Sequence, residues 1–311
     1  MNEKKERRSL GVILVEGIMR LNGMLPLWWH RGWAKILAWF FGKVMHYRED
    51  VVMVNLSRCF PGKKYKEISR IKDRFYRHLG SVITESVWYG ACVGKRGRRR
   101  IRRSGIVRIT NPEVFNSLCD NHLQVMVLQS HTGNWEIISA IREYSPDLEL
   151  SLDIRDVCVT YKEMTSKLWN RVMEDNRCAP IRDIADFSGY TESREVLRYA
   201  VSHRKDRRCY VFITDQYPYS FATKHNVGKF LNQDTVSMNA AATLACKMDM
   251  AVCYLRYAER EGGGYEMTFV PIAEQASQSD PDTIMKQYYS LLEEDLNAQP
   301  WNYLWSHKRW K

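Results

Sequence analysis

Paired cysteines are missing from this sequence. Its eight cysteines, at positions 59, 92, 119, 158, 178, 209, 246 and 253, are scattered, and none forms a C-x2-C pair. That argues against a zinc cluster or a disulfide scaffold and fits a reducing cytoplasm. There is no Walker loop, no dinucleotide fingerprint and no sustained internal repeat, so neither a metal nor a nucleotide cofactor is implied. No cleavable signal peptide is expected, because the start is Lys- and Glu-rich and no small-residue cleavage site follows a clean apolar run. A clean bilayer span is lacking near the start as well. Leu10, Ile13, Leu14, Gly17, Ile18 and Leu21 share one helical face, but Glu16, Arg20 and Asn22 break the apolar count. An amphipathic helix ending at Pro26 is the better reading.

What the chain has in quantity is positive charge and aromatic side chains. The 311 residues carry a formal charge of +11, and 45% of them are hydrophobic, an ordinary globular share. A basic surface seeks nucleic acid, an anionic membrane or an acidic partner. Ten Trp and seventeen Tyr suit boundaries between apolar and wet surroundings. The run from Leu27-Trp28-Trp29 to Phe40-Phe41 is aromatic and flanked by His30, Arg31, Lys35 and Lys43, the composition of an interfacial membrane helix. Residues 1–47 are therefore expected to be membrane-associating helices and residues 48–311 a separate catalytic domain. In Lys95-Arg96-Gly97-Arg98-Arg99-Arg100-Ile101-Arg102-Arg103, seven of nine residues are basic. Acidic lipid head groups or an acidic carrier protein are the candidate partners, and a solvated charged face is the plainer alternative. Nucleic acid is not expected, since no recognised binding motif accompanies the run.

The chemistry is expected around Val125-Met126-Val127-Leu128-Gln129-Ser130-His131-Thr132-Gly133-Asn134-Trp135-Glu136. An apolar strand-type run meets a polar residue, a histidine and a Gly-Asn turn, and then the periodic Ile137, Ile138 and Ile141. That reads as strand, turn, helix. In open α/β sheets ligands bind at the carboxyl edge of the strands, where His131 would sit. Neutral imidazole takes a proton from an alcohol near pH 7, and a carboxylate on its other nitrogen fixes the tautomer. Glu136 is the expected carboxylate. Ser130 should face away from His131, so direct transfer to an acceptor hydroxyl fits better than a serine nucleophile. The bare spacing carries little weight. With eight histidines in the chain, chance alone places about one acid five residues downstream.

The whole string says more. His131-Thr132-Gly133-Asn134-Trp135-Glu136 resembles the H-x4-D/E motif of the lipid A late acyltransferases, within the lysophospholipid acyltransferase superfamily. Further segments resemble that family in order: Asn55-Leu56 with Cys59-Phe60-Pro61, Tyr161-Lys162, Asp215-Gln216, Phe230-Leu231-Asn232 with Thr235, and Trp305-Ser306-His307-Lys308-Arg309-Trp310-Lys311. Two departures stand out. Lys162 occupies the place of the family arginine, with Glu163 for the usual proline, and Phe-Leu-Asn replaces Phe-Phe-Gly. Lysine keeps the charge but loses the bidentate fork, and Arg155 lies nearby as the alternative. The resemblance implies an acyltransferase at the cytoplasmic face of an inner membrane. It also implies an acyl carrier protein thioester as donor and a lipid A precursor as acceptor. His131 and Glu136 would be catalytic. Asn134, Lys162 and Gln216 would bind substrate, with Lys162, Asn134 or backbone N–H groups at the oxyanion. Arg177 is a further substrate-binding candidate. Asp215, at a strand's carboxyl end as His131 is, would bind substrate or orient a cationic group, with a helix or turn cap as the plainer alternative.

The rest of the chain alternates. A long amphipathic helix is expected over Ile68–Val87, strands at Ile106–Thr110 and Cys209–Thr214, and two β-like pieces between Leu148 and Tyr161. Helices follow at Asn111–Leu118, Lys162–Asp175, Glu192–Val201, Ser237–Met248 and Pro281–Leu296. Met250–Arg260 and Tyr265–Ile272 flank Glu261-Gly262-Gly263-Gly264, a hairpin signal. The expected fold is α/β: a mixed, mostly parallel sheet flanked by helices, with an N-terminal membrane-associating helical segment. Three other readings remain. One is an acyltransferase for a lysophospholipid or an amino-acid-based lipid. The second is a catalytically inactive peripheral membrane-binding protein. A metal hydrolase is the third, but one His–acid pair gives it too few ligands. His307 and Arg309 either contact substrate or belong to a structural tail.

Overall fold

The computed structural model describes residues 10–184, 190–218 and 224–310. The charged residues 2–8 and the terminal Lys311 lie outside that range.

A fully buried strand, β2 (Gln124–Gln129), organises the sheet. Its side chains alternate between two cores. Val125 and Val127 enter one, and Met126 and Leu128 enter the other. A strand buried on both faces needs a near-continuous apolar run, which this stretch supplies. The remaining strands are β1 (Val107–Ile109), β3 (Val157–Tyr161), β4 (Tyr190–Glu192), β5 (Arg208–Ile213), β6 (His225–Phe230), β7 (Gln233–Ser237), β8 (Ala251–Glu259) and β9 (Tyr265–Ala273). Seven of them form one sheet in the order β1-β9-β8-β2-β5-β3-β4. From β8 to β4 all neighbours are parallel, β9 runs antiparallel to β8, and β1 is parallel to β9. The mixed, mostly parallel sheet flanked by helices is as expected.

Helix α4 (Tyr65–Gly90), 26 residues long, is the spine beside the sheet. Its amphipathic pattern puts Ile68, Ile71 and Phe75 in one core and Trp88 and Tyr89 in the other. Helices α1 (Leu10–Gly23) and α2 (Leu27–Trp39) lie against it, and α2 passes into a π-type turn at Phe40–Val44. The packing is close: a Cβ on Gly80 would lie 2.4 Å from the Ala34 carbonyl, and one on Gly23 2.4 Å from that of Val87. The outer faces of α1 and α2 expose Leu10, Leu14, Ile18, Leu21, Trp28, Trp33 and Trp39. No single described helix is long and apolar enough to cross a membrane, although α1 and the α2 segment pass that test as a pair bent by 114°.

The Asn55-Leu56 segment folds as α3 (Glu49–Cys59). The basic run is itself a helix, α5 (Gly94–Ser104), and its charges divide. Arg98 pairs with Asp183, Arg102 pairs with Glu143, and Arg100 donates to the carbonyls of Gly23, Met24 and Leu25. Arg100 therefore satisfies carbonyls left open where α1 ends. Lys95, Arg96, Arg99 and Arg103 remain exposed.

Helices α6 (Pro112–Asn121), α7 (Lys167–Arg177), α8 (Val196–Ser202), α9 (Ala240–Met248) and α10 (Pro281–Ala298) complete the layers. Asp280 caps α10 by accepting the Thr283 N–H at 2.9 Å, with Pro281 in the first turn.

Several expectations change. The segment after His131 is not an α-helix: Trp135–Tyr144 winds in 3-10 turns, with Ile137 and Ala140 leaving helical φ/ψ. Its β-branched isoleucines are poor helix formers, and burying Ile137, Ile138 and Ile141 decides the local shape. Of the two β-like pieces between 148 and 161, only β3 joins the sheet. The expected helix at Lys162 begins five residues later, where Ser166 caps α7 by accepting the Trp169 N–H. The β6–β7 hairpin and the short β4 carried no periodicity strong enough to be read.

Candidate active site

β2 and β5 are parallel neighbours in register, Gln129 opposite Ile213. Two residues past each of those positions, at the carboxyl edge, stand His131 and Asp215. Adjacent strand ends thus bring together two residues 84 apart in sequence. Nδ1 of His131 donates to Oδ1 of Asp215 at 2.8 Å. On the other side of the ring, Nε2 of His131 lies 3.1 Å from Nε2 of Gln216. The Asp-Gln pair brackets the imidazole. The carboxylate holds the proton on Nδ1, leaving the Nε2 lone pair to accept from the Gln216 amide.

Burial by itself raises the Asp215 carboxyl. The adjacent His131 charge and hydrogen bond outweigh that and hold it below the usual carboxylate range. Tyrosines of α10 fix the strand ends beneath. Tyr288 donates to the Gln129 carbonyl at 3.0 Å and Tyr289 to that of Thr214 at 3.2 Å.

Glu136 does not take the position expected of it. Its oxygens accept from Arg177, Nε at 2.5 Å and Nη2 at 2.8 Å, and Oε1 also accepts from Trp135 at 3.0 Å. Burial raises this carboxyl, but Arg177 carries it below its ordinary range, with a smaller contribution from His131. Glu136 therefore feels the imidazole's charge without hydrogen-bonding to it. The turn explains the geometry. Gly133 has φ +58, and its Cβ would lie 2.4 Å from the Tyr257 ring. This left-handed residue swings the chain away from His131 before Glu136 is reached.

Asn134 is likewise not where a substrate-binding residue belongs. It is completely buried, does not line the cavity, and donates to Glu85 at 3.1 Å. It is part of the packing under the turn.

A cavity of about 880 Å³ opens over the imidazole. Lys162, Glu136, Arg177, Gln216 and His307 line it, along with apolar Ile138, Val159, Met164, Val196, Phe212 and Met238. Lys162 is thus in the site, whereas Arg155 is held by Asp153 and does not line the cavity. Gln129, unmarked by any motif, also lines it, and neither atom of its amide has a hydrogen-bond partner among the described residues. A glutamine closing an apolar strand was the available signal.

Three remaining motifs meet around the C-terminal tail. Asn55 Nδ2 donates to the carbonyls of Trp305 and His307, Asn232 Nδ2 to that of Cys59, and Trp310 Nε1 to Thr235. His307 reaches the cavity, and burial pulls its pKa down to about 4. Arg309 is buried structure: its guanidinium donates to the Val236 carbonyl and the Tyr289 hydroxyl, both outside the cavity lining.

A mixed α/β sheet whose carboxyl edge opens into a cleft with polar and apolar walls is the layout of a ligand-handling α/β enzyme. The particular kind follows from comparison with known families. The model of the bacterial lipid A biosynthesis acyltransferases matches residues 1–311, and the chain belongs to that family. It is accordingly an acyltransferase of lipid A biosynthesis. No individually curated protein matches the chain.

Proposed function

We propose that this protein moves a fatty acyl chain from an acyl carrier protein thioester to a hydroxyl of a lipid A precursor, at the cytoplasmic face of the inner membrane. The observation that carries the mechanism is the Asp215–His131 hydrogen bond, with Nε2 turned toward the cavity. When the acceptor hydroxyl displaces the Gln216 amide, Nε2 takes its proton. The oxygen attacks the thioester carbonyl, and the tetrahedral intermediate collapses with loss of the thiolate. The imidazolium returns its proton to that sulfur.

Asp215 stabilises the imidazolium directly. Glu136 stabilises it through space, held in place by Arg177. Lys162 and the amide of Gln129 line the cavity and would serve as donors for the oxyanion and the acceptor's anionic groups. The apolar cavity wall takes the acyl chain.

Residues 1–47 form the membrane-associating part in this reading, and residues 48–311 carry the transfer. The exposed aromatic and aliphatic side chains of α1 and α2 support it, as do the free basic residues of α5. Arg100 holds these elements together at the α1–α2 turn. Exposed apolar side chains and exposed cations on neighbouring elements suit an anionic leaflet.

The test uses the full-length protein with purified acceptor and either carrier-protein or coenzyme A thioesters. Transfer from the carrier-protein thioester is expected to be favoured. His131→Ala should lower the rate by about 10²- to 10⁴-fold while melting normally. A folded His131→Ala protein working at near-wild-type rate sinks the mechanism.

A further inference from the structure

A second cavity, of about 280 Å³, lies between α2, α4 and the β8–β9 hairpin, and it shares no lining residue with the first. Arg31, Arg74, Arg77 and Arg260 surround it, facing Glu85 and Glu259. Four guanidinium groups against two carboxylates leave a net charge of +2 even with both acids ionised. Burial raises the Glu85 carboxyl, which weakens the negative contribution further.

The carboxylates are already engaged. Glu85 accepts from Tyr265 and Asn134, and Glu259 from His78 at 2.6 Å and Trp301 at 2.7 Å. Of the arginines, Arg260 donates to the Gly105 carbonyl. Arg31 and Arg77 make no hydrogen bond or ion pair among the described residues.

The hairpin is shaped to bring these cations in. Gly263 has φ +101, and a Cβ there would stand 3.2 Å from the Arg31 guanidinium carbon. At Gly264, φ +83, a Cβ would come within 2.7 Å of Arg260 Nη2.

An independent observation points to a ligand. His78 lines this cavity with its side chain 1% exposed, and Nδ1 is bound to Glu259. Its Nε2 is buried and has no hydrogen-bond partner among the described residues. A buried ring nitrogen left open beside converging arginines is an unfilled position for a polar group.

We infer that this cavity is a phosphoryl-binding subsite, taking a terminal phosphate monoester whose oxygens accept from Arg31, Arg77 and Arg260 and whose P–O–H donates to the open Nε2 of His78. Planar guanidinium forks match phosphate oxygens in pairs, and a monoester offers three of them. Arg31 lies on α2 between the exposed Trp28 and Trp33, so the subsite sits beside the apolar face. A lipid headgroup is the source that this position favours. The inference stands whether or not His131 is the base, because its test reads binding and not turnover.

The experiment measures binding of the full chain to phosphatidylcholine vesicles. These carry either phosphatidic acid, a phosphomonoester, or phosphatidylglycerol at matched surface charge. The wild type should prefer phosphatidic acid about ten-fold, the worth of one charge-assisted hydrogen bond. Arg31→Gln/Arg77→Gln should lose that preference. Arg96→Gln/Arg99→Gln on α5 should weaken binding to both anionic lipids and keep it. Both arginines of the first pair lie at the surface, and His78→Asn carries the same test should that variant not fold. Competition by soluble glycerol phosphate would keep the subsite and assign it a soluble ligand. Equal binding of wild type to both anionic lipids, or a preference surviving in both sets of variants, overturns the inference.

Discussion

Replacing Asp215 by Asn and, separately, Glu136 by Gln separates two readings of the site. The structure gives Asp215 the hydrogen bond to Nδ1 of His131 at 2.8 Å and gives Glu136 a paired contact with Arg177. In Asp215→Asn the amide has two choices. Its oxygen accepts from Nδ1–H, keeping the tautomer but losing the charge-assisted part, about 1.5–3 kcal/mol. Otherwise its NH2 donates to Nδ1, which moves the proton to Nε2 and removes the base. The first costs at least about ten-fold in kcat, and the second costs the whole contribution of a general base, about 10²- to 10⁴-fold. The fold should hold, because the Asp215 carbonyl still accepts from Tyr303. In Glu136→Gln the pattern reverses. Arg177 loses its counter-ion in a partly buried place, costing roughly 1–3 kcal/mol of stability. Activity per folded molecule should fall only about ten-fold, since a carboxylate away from the ring acts through a partly screened field. Steady-state kinetics and thermal melts on both proteins decide. Near-wild-type kcat in Asp215→Asn would refute the argument. So would a Glu136→Gln protein as inactive as His131→Ala with an unchanged melt.

Three further outcomes are expected. If Lys162 binds an anionic group of the acceptor, Lys162→Ala should raise the acceptor KM, and Lys162→Arg should be tolerated, as measured with acceptor varied at saturating donor. Gly133→Ala meets both the Tyr257 ring and a φ of +58, so it should cost about 3 kcal/mol or more in denaturant titrations. His307 takes up its proton near pH 6.5 when unfolded and only near pH 4 when folded, because burial disfavours the charged ring. The unfolded state therefore binds that proton first. Stability should fall as pH drops between those values, and His307→Asn should flatten that part of the profile in melts across pH.

Much of the framework was legible in the sequence because it rests on local pattern. The apolar run 125–128 had to be a buried strand, and its last polar residues had to reach the carboxyl edge. The 3.6-residue spacing over 68–87 gave α4, and the triple glycine gave the β8–β9 hairpin. His131, Lys162 and Gln216 all line the cavity, and each stands at or just beyond a strand end.

Tertiary structure alone decided which carboxylate meets the imidazole. Glu136 was the natural choice by proximity, five residues from His131. Strand order is not a local property, however, and nothing in either run says that β2 lies beside β5. Once it does, the edges coincide and Asp215 arrives at Nδ1 from 84 residues away. The left-handed turn at Gly133 then sends Glu136 to Arg177, and burial takes Asn134 out of the site altogether. The C-terminal motif shows the same limit, since its residues could be read as important but not as a tail held by Asn55 and lined up with the cavity. Periodicity fixes elements because each residue reports on its own neighbours. Partnership between elements depends on how their buried faces fit, and only the packed chain contains that information.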